Sequence, residues 1–458
     1  MPIATVNPAT GETEKVFAPH DAAEVERRIA RADAAFRELR GSTFAQRGAW
    51  MRAAAELLEA DLDPLAEILT REMGKPIAAS RAEVAKCARG MRFYADHAEG
   101  FLADEPLADP SAVGASRAVA RYQPLGVILA VMPWNYPLWQ VMRFAAPALM
   151  AGNTGLLKHA SNVPQSALYL DDLFERGGFP AGAFGTLLIG SAEVAAVIED
   201  PRVRAVTLTG SEPAGRAVAA TAAAQVKKSV LELGGSDPFV VMPSADVERA
   251  ASVAVTARNQ NNGQSCIAAK RFIVHADVYD EFTRLFAEKV AALKVGDPLE
   301  ETTDVGPIAT ESGRQELLEQ VEDAVAKGAT VLTGGFAPER EGWFFQPTVL
   351  ADVTPEMRLH LEEAFGPVAT VYRVADREEA LRIANATTFG LSSAVWTEDA
   401  EEEAWFTRNL DAGAVFVNGM TASYPELPFG GVKDSGVGRE LAAAGIREFC
   451  NLKTVWKA

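Results

Sequence analysis

The amino-acid sequence predicts a soluble α/β protein with two domains, each built on a mostly parallel sheet. From Arg117 onward, short apolar runs alternate with amphipathic helical patterns, and this alternation is typical of parallel sheets covered by helices. The alternation restarts after Gly234, which predicts a second domain of the same kind. The chain has 458 residues, of which 48% are hydrophobic. It is therefore too long for a single ordinary core and has enough apolar side chains to fill two.

The first hundred residues predict a layer of helices. Asp21 precedes an amphipathic stretch, DAAEVERRIARADAAF, and is placed to cap its first turn. A second helical run spans residues 50–73 and stops at Gly74, and a third occupies residues 78–97. We expect these helices to form a helical face for another part of the protein.

Strand-like runs follow this layer. The first of them are LGVILAVM, TGLLK, GTLLIG, VRAVTLTG, KKSVLELGG and DPFVVM, each separated by a candidate helix. The pattern continues with a helix over residues 246–260, the strand KRFIVH, a helix over residues 278–293 and further alternation as far as GAVFVN. The last residues, FCNLKTVWKA, predict a terminal strand that could pair outside its own domain, as in an oligomer.

The charge and the apolar runs exclude several classes of partner. With 44 Lys plus Arg against 62 Asp plus Glu, the net charge is −18, which repels nucleic acid and anionic lipid. The longest apolar run, residues 125–132, is far shorter than the ~20 residues of a membrane-spanning helix. The N-terminus shows no secretory signal pattern. We therefore expect a cytoplasmic protein without a membrane or nucleic-acid partner.

Three cysteines are too few and too far apart for a disulfide framework or a structural metal site. Cys87, Cys266 and Cys450 are odd in number and lack CxxC spacing. Cys266 lies in QNNGQSCIAAK, a polar, glycine-containing loop that suits a reactive thiol, although an inert loop cysteine is the alternative. None of the five histidines has the context of a catalytic partner, so the partner is expected to be a carboxylate.

Two polar residues at strand ends are candidate partners of this thiol. Glu232 ends the strand KKSVLELGG, and active sites of α/β sheets lie at such ends. Asn135 follows a strand between Pro133 and Pro137, where a fixed amide could donate to an oxyanion. Taken alone, a solvated glutamate and a turn asparagine are the more common interpretations.

Two further segments suggest a nucleotide site. LLKHAS follows one strand, and TLTGSEPAGRAV joins another strand to a helix through Gly210 and Ser211, where backbone N–H groups attract phosphate. This GSxxxG pattern departs from the dinucleotide fingerprint GxGxxG and is weak by itself. EEAFGPV, with Glu363 and Phe365, is by itself a loop before a Gly-Pro turn.

In combination, these segments resemble the aldehyde dehydrogenase superfamily. PWNYP, LTGS, LELGG, GQSC, EEAFGP and PFGGVKDSGVGRE occur in that family's order, and the likeness runs from Asn7 to the terminal strand. The resemblance implies two Rossmann-type α/β domains plus a small β oligomerisation element. The implied units are a cofactor-binding domain (1–105 and 125–234), a catalytic domain (235–434) and an oligomerisation or bridging element (106–124 and 435–458). A homodimer or homotetramer would follow.

The resemblance also assigns roles to single residues. It implies that Cys266 is the nucleophile, Glu232 the general base and Asn135 an oxyanion donor, with no metal. The residues it implies for cofactor binding are Pro133, Trp134, Lys158, Ser161, Gly210, Ser211, Leu233, Glu363 and Phe365.

The cofactor preference depends on Ser161, three residues after Lys158. Many NAD-preferring relatives have glutamate at this position, and a carboxylate would repel a 2′-phosphate. The Ser161 hydroxyl beside the Lys158 ammonium can instead bind one, which favours NADP over NAD. His159 replaces the proline that is common after this lysine.

The substrate prediction depends on Arg143 and Ser423, which match positions that bind the distal carboxylate in succinate-semialdehyde dehydrogenases. Trp139 is a further candidate, and Arg258 could substitute for a second arginine that is Gln260 here. A short ω-carboxylated aldehyde is therefore favoured. On this hypothesis, Arg143→Ala impairs the carboxylated aldehyde selectively; pairing of Arg143 with a carboxylate of the protein is the alternative. A broader-specificity enzyme, a CoA-acylating relative and a non-catalytic relative are the competing hypotheses for function.

Overall fold

The computed structural model describes residues 2–458, which begin with a short antiparallel ribbon and a layer of helices. Asp21 caps the first helix by accepting a hydrogen bond from Glu24 N, and Gly74 ends the third with φ +81°. The single helix predicted over residues 50–73 is wrong, because Asp61 leaves helical geometry (ψ 17°) and divides the run. These elements are β1 (Ile3–Val6), β2 (Thr13–Phe17), α1 (Ala22–Leu39), α2 (Phe44–Ala60), α3 (Leu62–Met73) and α4 (Ile77–Phe101).

The next segment builds the first parallel sheet. Its central strands are buried on both faces, which is why their sequences are continuous apolar runs and do not alternate. The segment comprises β3 (Glu105–Pro106), β4 (Arg117–Pro124), β5 (Val127–Met132), α5 (Trp139–Ala151), β6 (Thr154–His159), α6 (Pro164–Arg176), β7 (Phe184–Thr186), α7 (Val194–Glu199), β8 (Val203–Thr209), α8 (Glu212–Ala224) and β9 (Lys228–Glu232). Strands β9-β8-β5-β6-β7 lie side by side and parallel.

The second sheet begins after Gly234, as the sequence predicts. Its elements are β10 (Asp237–Val241), α9 (Val247–Asn259), β11 (Ala269–His275), α10 (Ala276–Ala291), α11 (Glu311–Ala326), β12 (Thr330–Thr333), β13 (Thr348–Ala351), α12 (Arg358–Leu361), β14 (Val368–Val374), α13 (Arg377–Asn385), β15 (Ser393–Trp396), α14 (Ala400–Asn409) and β16 (Val415–Val417). The strand order is β12-β13-β14-β11-β10-β15-β16, with only the edge pair β12-β13 antiparallel within residues 2–458. This is the predicted two-domain α/β fold.

The C-terminal segment comprises β17 (Gly436–Val437), α15 (Ala442–Glu448) and β18 (Cys450–Lys457). β18 pairs along its whole length with β4, and β3 completes a small antiparallel sheet. β17 instead pairs with β9 of the first sheet, with Gly436 opposite Glu232. The C-terminal segment therefore contacts the predicted general base as well as forming the small sheet. The predicted domain roles remain a prediction.

None of the helices between residues 2 and 458 combines the length and apolar character needed to cross a bilayer.

Candidate active site

A cleft of about 560 Å³ opens where the carboxyl ends of β5, β8 and β9 face the loop between α9 and β11. The predicted residues that line it come from both sheets, as expected for a site at the strand ends of an α/β protein. They are Pro133, Trp134, Asn135, Gly210, Ser211, Leu233, Cys266, Glu363 and Phe365.

The loop that carries Cys266 is held in an unusual backbone conformation. Asn261 and Asn262 both have positive φ (56° and 59°), which asparagine tolerates better than most residues. Gly263 also has positive φ, and a Cβ there would lie 2.4 Å from the carbonyl carbon of Gly366. The Asn261 amide donates to the carbonyls of Asn135 (2.9 Å) and Gln264 (3.0 Å). The polar run therefore fixes the backbone that presents the thiol.

Lys270 is a further anchor of this loop that the sequence analysis missed. Its buried ammonium donates to the carbonyl oxygens of Ser265 (2.8 Å) and Cys266 (2.6 Å) and lies 3.0 Å from Glu363 Oε1. Because the ammonium holds the carbonyl oxygens of Ser265 and Cys266, the backbone around Cys266 is fixed. A lysine in the buried strand KRFIVH was the available signal, because charged side chains inside buried strands need a partner.

The Cys266 thiol is protonated in this structure. Burial raises its pKa to about 12, and the nearby positive charges of Arg143 and Lys270 offset this only in part. A low resting pKa, the usual mark of a reactive thiol, is therefore absent at Cys266. The nucleophile must lose its proton to a base when substrate is present.

Glu232 supplies a base with a raised pKa. Its side chain is only 2% exposed, and neither carboxyl oxygen finds a hydrogen-bond partner within residues 2–458. Burial raises its pKa well above the ordinary value, Glu440 raises it further, and the positive charges of Arg143 and Arg439 act in the opposite direction. A carboxylate with a raised pKa is a stronger base toward a thiol or a water molecule than an ordinary glutamate.

Asn135 lies beside the thiol loop. Its side chain is 3% exposed, and its amide nitrogen donates to the carbonyl of Gln264 at 3.2 Å, two residues before Cys266. Gln140 Nε2 donates to Asn135 Oδ1 at 3.5 Å. These contacts fix the Asn135 amide. A donor to an oxyanion must be oriented in advance, because turning it during the reaction would use up part of the free energy by which it stabilises the oxyanion.

Another side of the cleft lies at the start of helix α8, where a helix N-terminus attracts phosphate. Ser211 is the N-cap of α8 and makes no side-chain hydrogen bond to its first turn, and the buried Thr209 hydroxyl finds no partner among residues 2–458. Gly215 permits close packing, since a Cβ there would lie 2.5 Å from Leu233. The GSxxxG pattern thus serves the close helix–strand approach of a nucleotide site. At the deeper end, the Trp134 and Phe365 rings stand edge to face at 5.7 Å.

Lys158 lies near the end of β6, the neighbour of β5, and Ser161 follows that strand; neither is among the residues that line the 560 Å³ cleft. Lys158 is 8% exposed, and burial lowers its pKa while Glu193 opposes this shift.

His159 is buried and its pKa falls to about 4, so the ring is neutral. It accepts from Ala160 N at 2.9 Å and donates to the carbonyl of Pro137 at 2.8 Å. The histidine therefore ties the end of β6 to the Asn135 turn.

Arg143 lies beside a carboxylate of the protein, as the alternative interpretation of this residue has it. Its Nε lies 2.8 Å from Glu440 Oε2, and both side chains are almost fully buried. The guanidinium also stacks on the Phe429 ring at 4.6 Å. Its Nη2 is buried without a hydrogen-bond partner among residues 2–458, and a role of Arg143 in substrate binding stays a prediction. The acidic end of PFGGVKDSGVGRE, Glu440, was the partner that the sequence analysis did not name.

The prediction that Arg258 binds substrate is wrong. Its side chain is fully buried at the end of α9, where the helix faces the second sheet. Its guanidinium donates to the carbonyls of Ala269 (2.9 Å), Gly263 (2.5 Å) and Gly366 (2.6 Å). These hydrogen bonds hold the loop that carries Cys266, and they leave the Arg258 guanidinium unavailable to a substrate.

Trp139 and Ser423 do come together, and a third residue joins them. The Trp139 indole N–H donates to Ser423 Oγ at 2.8 Å. Lys86 Nζ donates to the same oxygen at 3.0 Å and lies 4.3 Å from the centre of the Trp139 ring. Lys86, on α4, was not identified from the sequence, since a lysine on a long helix is usually solvated.

Within residues 2–458, no cluster of three or more His, Cys, Asp or Glu side chains is arranged to hold a metal ion. The three cysteines are unpaired thiols.

Comparison with known proteins supports the resemblance. The model of the aldehyde dehydrogenase family matches residues 1–455. The succinate-semialdehyde dehydrogenase [NADP(+)] 1 of Mycobacterium tuberculosis (strain ATCC 25618 / H37Rv) is 63% identical over 458 residues, covering 100% of both chains. The succinate-semialdehyde dehydrogenase [NADP(+)] of Mycobacterium avium (strain 104) is 64% identical over 457 residues, covering 100% of this chain and 97% of the relative.

Solved structures agree with the fold. The succinic semialdehyde dehydrogenase of Streptococcus pyogenes, in complex with NADP+, superposes with a TM-score of 0.96 at 36% identity over 99% of each chain. The succinate-semialdehyde dehydrogenase of Burkholderia pseudomallei superposes with a TM-score of 0.95 at 38% identity, covering 99% of this chain and 93% of that one.

Proposed function

The chain belongs to the aldehyde dehydrogenase family, and on that premise we propose that it oxidises succinate semialdehyde to succinate with NADP+. One observation carries the proposal: the Cys266 thiol and the fixed Asn135 amide line one cleft, and the buried, unpartnered carboxyl of Glu232 directly precedes Leu233 of the same lining. The direct test is the appearance of NADPH when the purified protein is given succinate semialdehyde. No absorbance change at 340 nm (the wavelength at which NADPH absorbs) would reject this activity.

The first chemical step is addition of the Cys266 sulfur to the aldehyde carbon. The thiol proton leaves to a base, for which the Glu232 carboxylate is suited by its raised pKa. As the S–C bond forms, the carbonyl electrons move to oxygen. The Asn135 amide and the Cys266 N–H are the donors we assign to that oxyanion, each typically worth ~3 kcal/mol in such sites.

NADP+, when bound, takes up the hydride that leaves the tetrahedral carbon. We assign Pro133, Trp134, Leu233, Glu363 and Phe365 to the nicotinamide end, because they line the cleft near Cys266. The start of α8 at Gly210 and Ser211 holds the phosphates. The carbon that has lost hydride remains bound to Cys266 as a thioester.

Glu232 then releases the acyl group. The proton taken from the thiol first passes from Glu232 to solvent; the carboxylate then takes a proton from water, whose oxygen attacks the thioester carbon, and the C–S bond breaks as the sulfur takes up that proton. The thiol is regenerated and the carboxylic acid leaves. One aldehyde, one water and one NADP+ give one acid, one NADPH and one proton.

The cofactor preference gives a testable prediction at Ser161. Ser161→Glu places a carboxylate near the Lys158 ammonium, where it repels a 2′-phosphate and can hold ribose hydroxyls. We expect kcat/KM with NADP+ to fall at least about tenfold while kcat/KM with NAD+ changes little. Steady-state kinetics with both cofactors measure this. An unchanged ratio of the two values would remove Ser161 from the cofactor site.

Arg143 gives a second prediction, through Glu232. Its positive charge lowers the pKa of Glu232, so Arg143→Met raises that pKa further. Only the carboxylate form activates water, so turnover should require a higher pH. We expect kcat at neutral pH to fall similarly for succinate semialdehyde and butanal, with the midpoint of the kcat–pH profile moved to higher pH. A loss limited to the carboxylated aldehyde would return Arg143 to the substrate site.

The small antiparallel sheet supports a homodimer or homotetramer. One edge of β18 is unpaired within residues 2–458, and its Leu452 and Trp456 side chains are 54% and 52% exposed. An exposed strand edge with large apolar side chains is a site of chain–chain pairing. We assign β18 to an interface between copies of this chain, and the cytoplasm as the place of action.

A further inference from the structure

Lys270 connects two parts of the candidate active site through one buried ammonium. The side chain is on β11 and is 3% exposed. Its Nζ donates to the carbonyl oxygens of Ser265 (2.8 Å) and Cys266 (2.6 Å) and lies 3.0 Å from Glu363 Oε1. The carbonyls belong to the loop that carries the thiol, whereas Glu363 lines the cleft from the segment before β14. One cation therefore contacts both the thiol loop and a carboxylate of the cleft.

The carboxylate of Glu363 depends on Lys270 for its countercharge. Within residues 2–458, Lys270 is the only ion-pair partner of Glu363. Burial raises the pKa of Glu363, and the Lys270 ammonium is the largest influence that lowers it. A neutral side chain at position 270 would therefore make Glu363 easier to protonate.

Other polar and charged groups surround Glu363 without forming an ion pair with it. The Gly235 N–H lowers the pKa of Glu363, and Glu212 on α8 raises it. The groups on the remaining elements are Asp237 on β10, Arg258 on α9, Cys266 in the thiol loop, Gln320 and Glu316 on α11, and Arg358 on α12, which pairs with Glu362. None of them replaces the ammonium of Lys270.

One oxygen of Glu363 is left for a ligand. Although the Lys270 ammonium is 3.0 Å away, Glu363 Oε1 is buried and receives no hydrogen bond within residues 2–458. Buried polar atoms nearly always have a hydrogen-bond partner, so this oxygen suits a hydroxyl donor in the cleft. The proposed function puts the nicotinamide end of the cofactor beside Glu363, and the ribose of that end carries two hydroxyl groups.

Arg271, the next residue on β11, shows what a cation with only a structural role looks like. It is 1% exposed and donates to the carbonyls of Ser236 (2.9 Å), Ile383 (2.6 Å) and Ala384 (2.9 Å). No carboxylate within residues 2–458 forms an ion pair with it. Lys270 also holds backbone carbonyls, and it differs from Arg271 by its contact with a carboxylate that lines the cleft.

We propose that Lys270 is a positioning residue for the cofactor: its ammonium, fixed by the carbonyls of Ser265 and Cys266, keeps the Glu363 carboxylate charged and directed at the nicotinamide ribose. This proposal rests on the proposed function, because it takes Glu363 to bind NADP+. Since the same ammonium holds the backbone of the nucleophile, it also sets the position of the ribose relative to the sulfur.

The test measures the dissociation constant of NADP+ by calorimetric titration between about pH 6 and pH 9. Lys270→Gln removes the charge but keeps N–H donors for the two carbonyls, and Lys270→Met removes both the charge and the donors. Thermal unfolding shows which of these variants fold, and either one suffices. The 2′-phosphate of NADP+ titrates at about pH 6, so Glu363→Gln is included to isolate the contribution of the carboxyl group.

We expect loss of the Lys270 charge to weaken NADP+ binding in a pH-dependent way. The pKa of Glu363 rises when the ammonium is removed, so the carboxylate needed by the ribose forms only at higher pH. The dissociation constant should increase about tenfold at about pH 7 and less than about threefold at about pH 9. In the background of Glu363→Gln, the same replacement should add less than about twofold.

Arg271→Met is the matched control. It removes a buried cation and its hydrogen bonds to carbonyls from the same strand. We expect it to lower the temperature of unfolding while the dissociation constant of NADP+ stays within about threefold of the unaltered value at every pH.

Other outcomes separate this proposal from the proposed function. If the unaltered protein forms NADPH from succinate semialdehyde, and the Lys270 variants bind NADP+ as tightly as it does, the role of Lys270 is wrong and the proposed function stands. Weaker binding by the same factor at every pH, or an equal pH shift in Arg271→Met, would make Lys270 a structural anchor only and overturn the proposal. If the unaltered protein does not bind NADP+, the proposed function itself fails.

Discussion

Cys266→Ala is expected to reduce NADPH formation by about 10⁴-fold or more, because no other group in the cleft can form the covalent acyl intermediate. NADP+ binding should persist, since the cofactor residues belong to other elements of the cleft. The thiol makes no hydrogen bond that the fold depends on, so thermal unfolding should change little. Steady-state assays and a fluorescence titration with NADP+ measure the two effects.

Cys450→Ala provides the matched control. Cys450 is a half-buried thiol like Cys266, but it lies at the start of β18, with Sγ 3.4 Å from the carbonyl of Ile446. Its replacement should leave turnover intact. Mass spectrometry of the protein mixed with aldehyde and NADP+ should detect an acyl adduct at Cys266 alone. Substantial turnover by Cys266→Ala would overturn the covalent mechanism.

Glu232→Gln is expected to separate the two halves of the reaction. Glutamine keeps the shape of the buried side chain but cannot take a proton from water, so the thioester accumulates. We expect steady-state turnover to fall by about 10²–10⁴-fold. Rapid mixing should still give an initial burst approaching about one NADPH per active site, formed more slowly than in the unaltered protein because the thiol proton must then leave to solvent. Stopped-flow absorbance at 340 nm, together with a mass measurement of the accumulated adduct, checks this.

The pH dependence follows from the same carboxyl group. Burial and Glu440 raise the pKa of Glu232, so at low pH the group is protonated and cannot act as a base. Turnover of the unaltered protein should therefore rise with pH as Glu232 loses its proton, and Glu232→Gln should remove this rise. A variant that retains both full turnover and the unaltered pH profile would show that another group activates water.

The glutamate pair also bears on stability. Glu232 and Glu440 both have raised pKa values, chiefly because both are buried. A carboxyl group whose pKa is higher in the folded state stabilises the fold while it is protonated and loses that contribution as pH rises through the folded pKa. The buried carboxyls thus favour the fold at lower pH and the reaction at higher pH. The positive charge of Arg143 lowers both pKa values and so reduces this opposition between stability and activity.

The sequence by itself determined the fold and the reacting groups. Buried parallel strands read as continuous apolar runs, and helices read as amphipathic patterns between caps such as Asp21 and Gly74, so the two sheets were predictable. Cys266, Glu232 and Asn135 were candidates because each follows or ends a predicted strand or lies in an atypical polar loop. Their catalytic roles were implied by the resemblance to a known family and not by these positions alone.

The structure alone decided which charges pair. Arg143 meets Glu440 nearly three hundred residues later, Arg258 turns to backbone carbonyls, Lys270 holds the thiol loop, and Lys86 reaches Ser423. A long flexible side chain can be solvated, paired or bound to substrate with the same neighbours in sequence. The free energy of a charge depends on burial and on partners within a few ångströms. These distances are set only when the chain folds. The partner of each positively charged side chain was therefore decided by the tertiary structure.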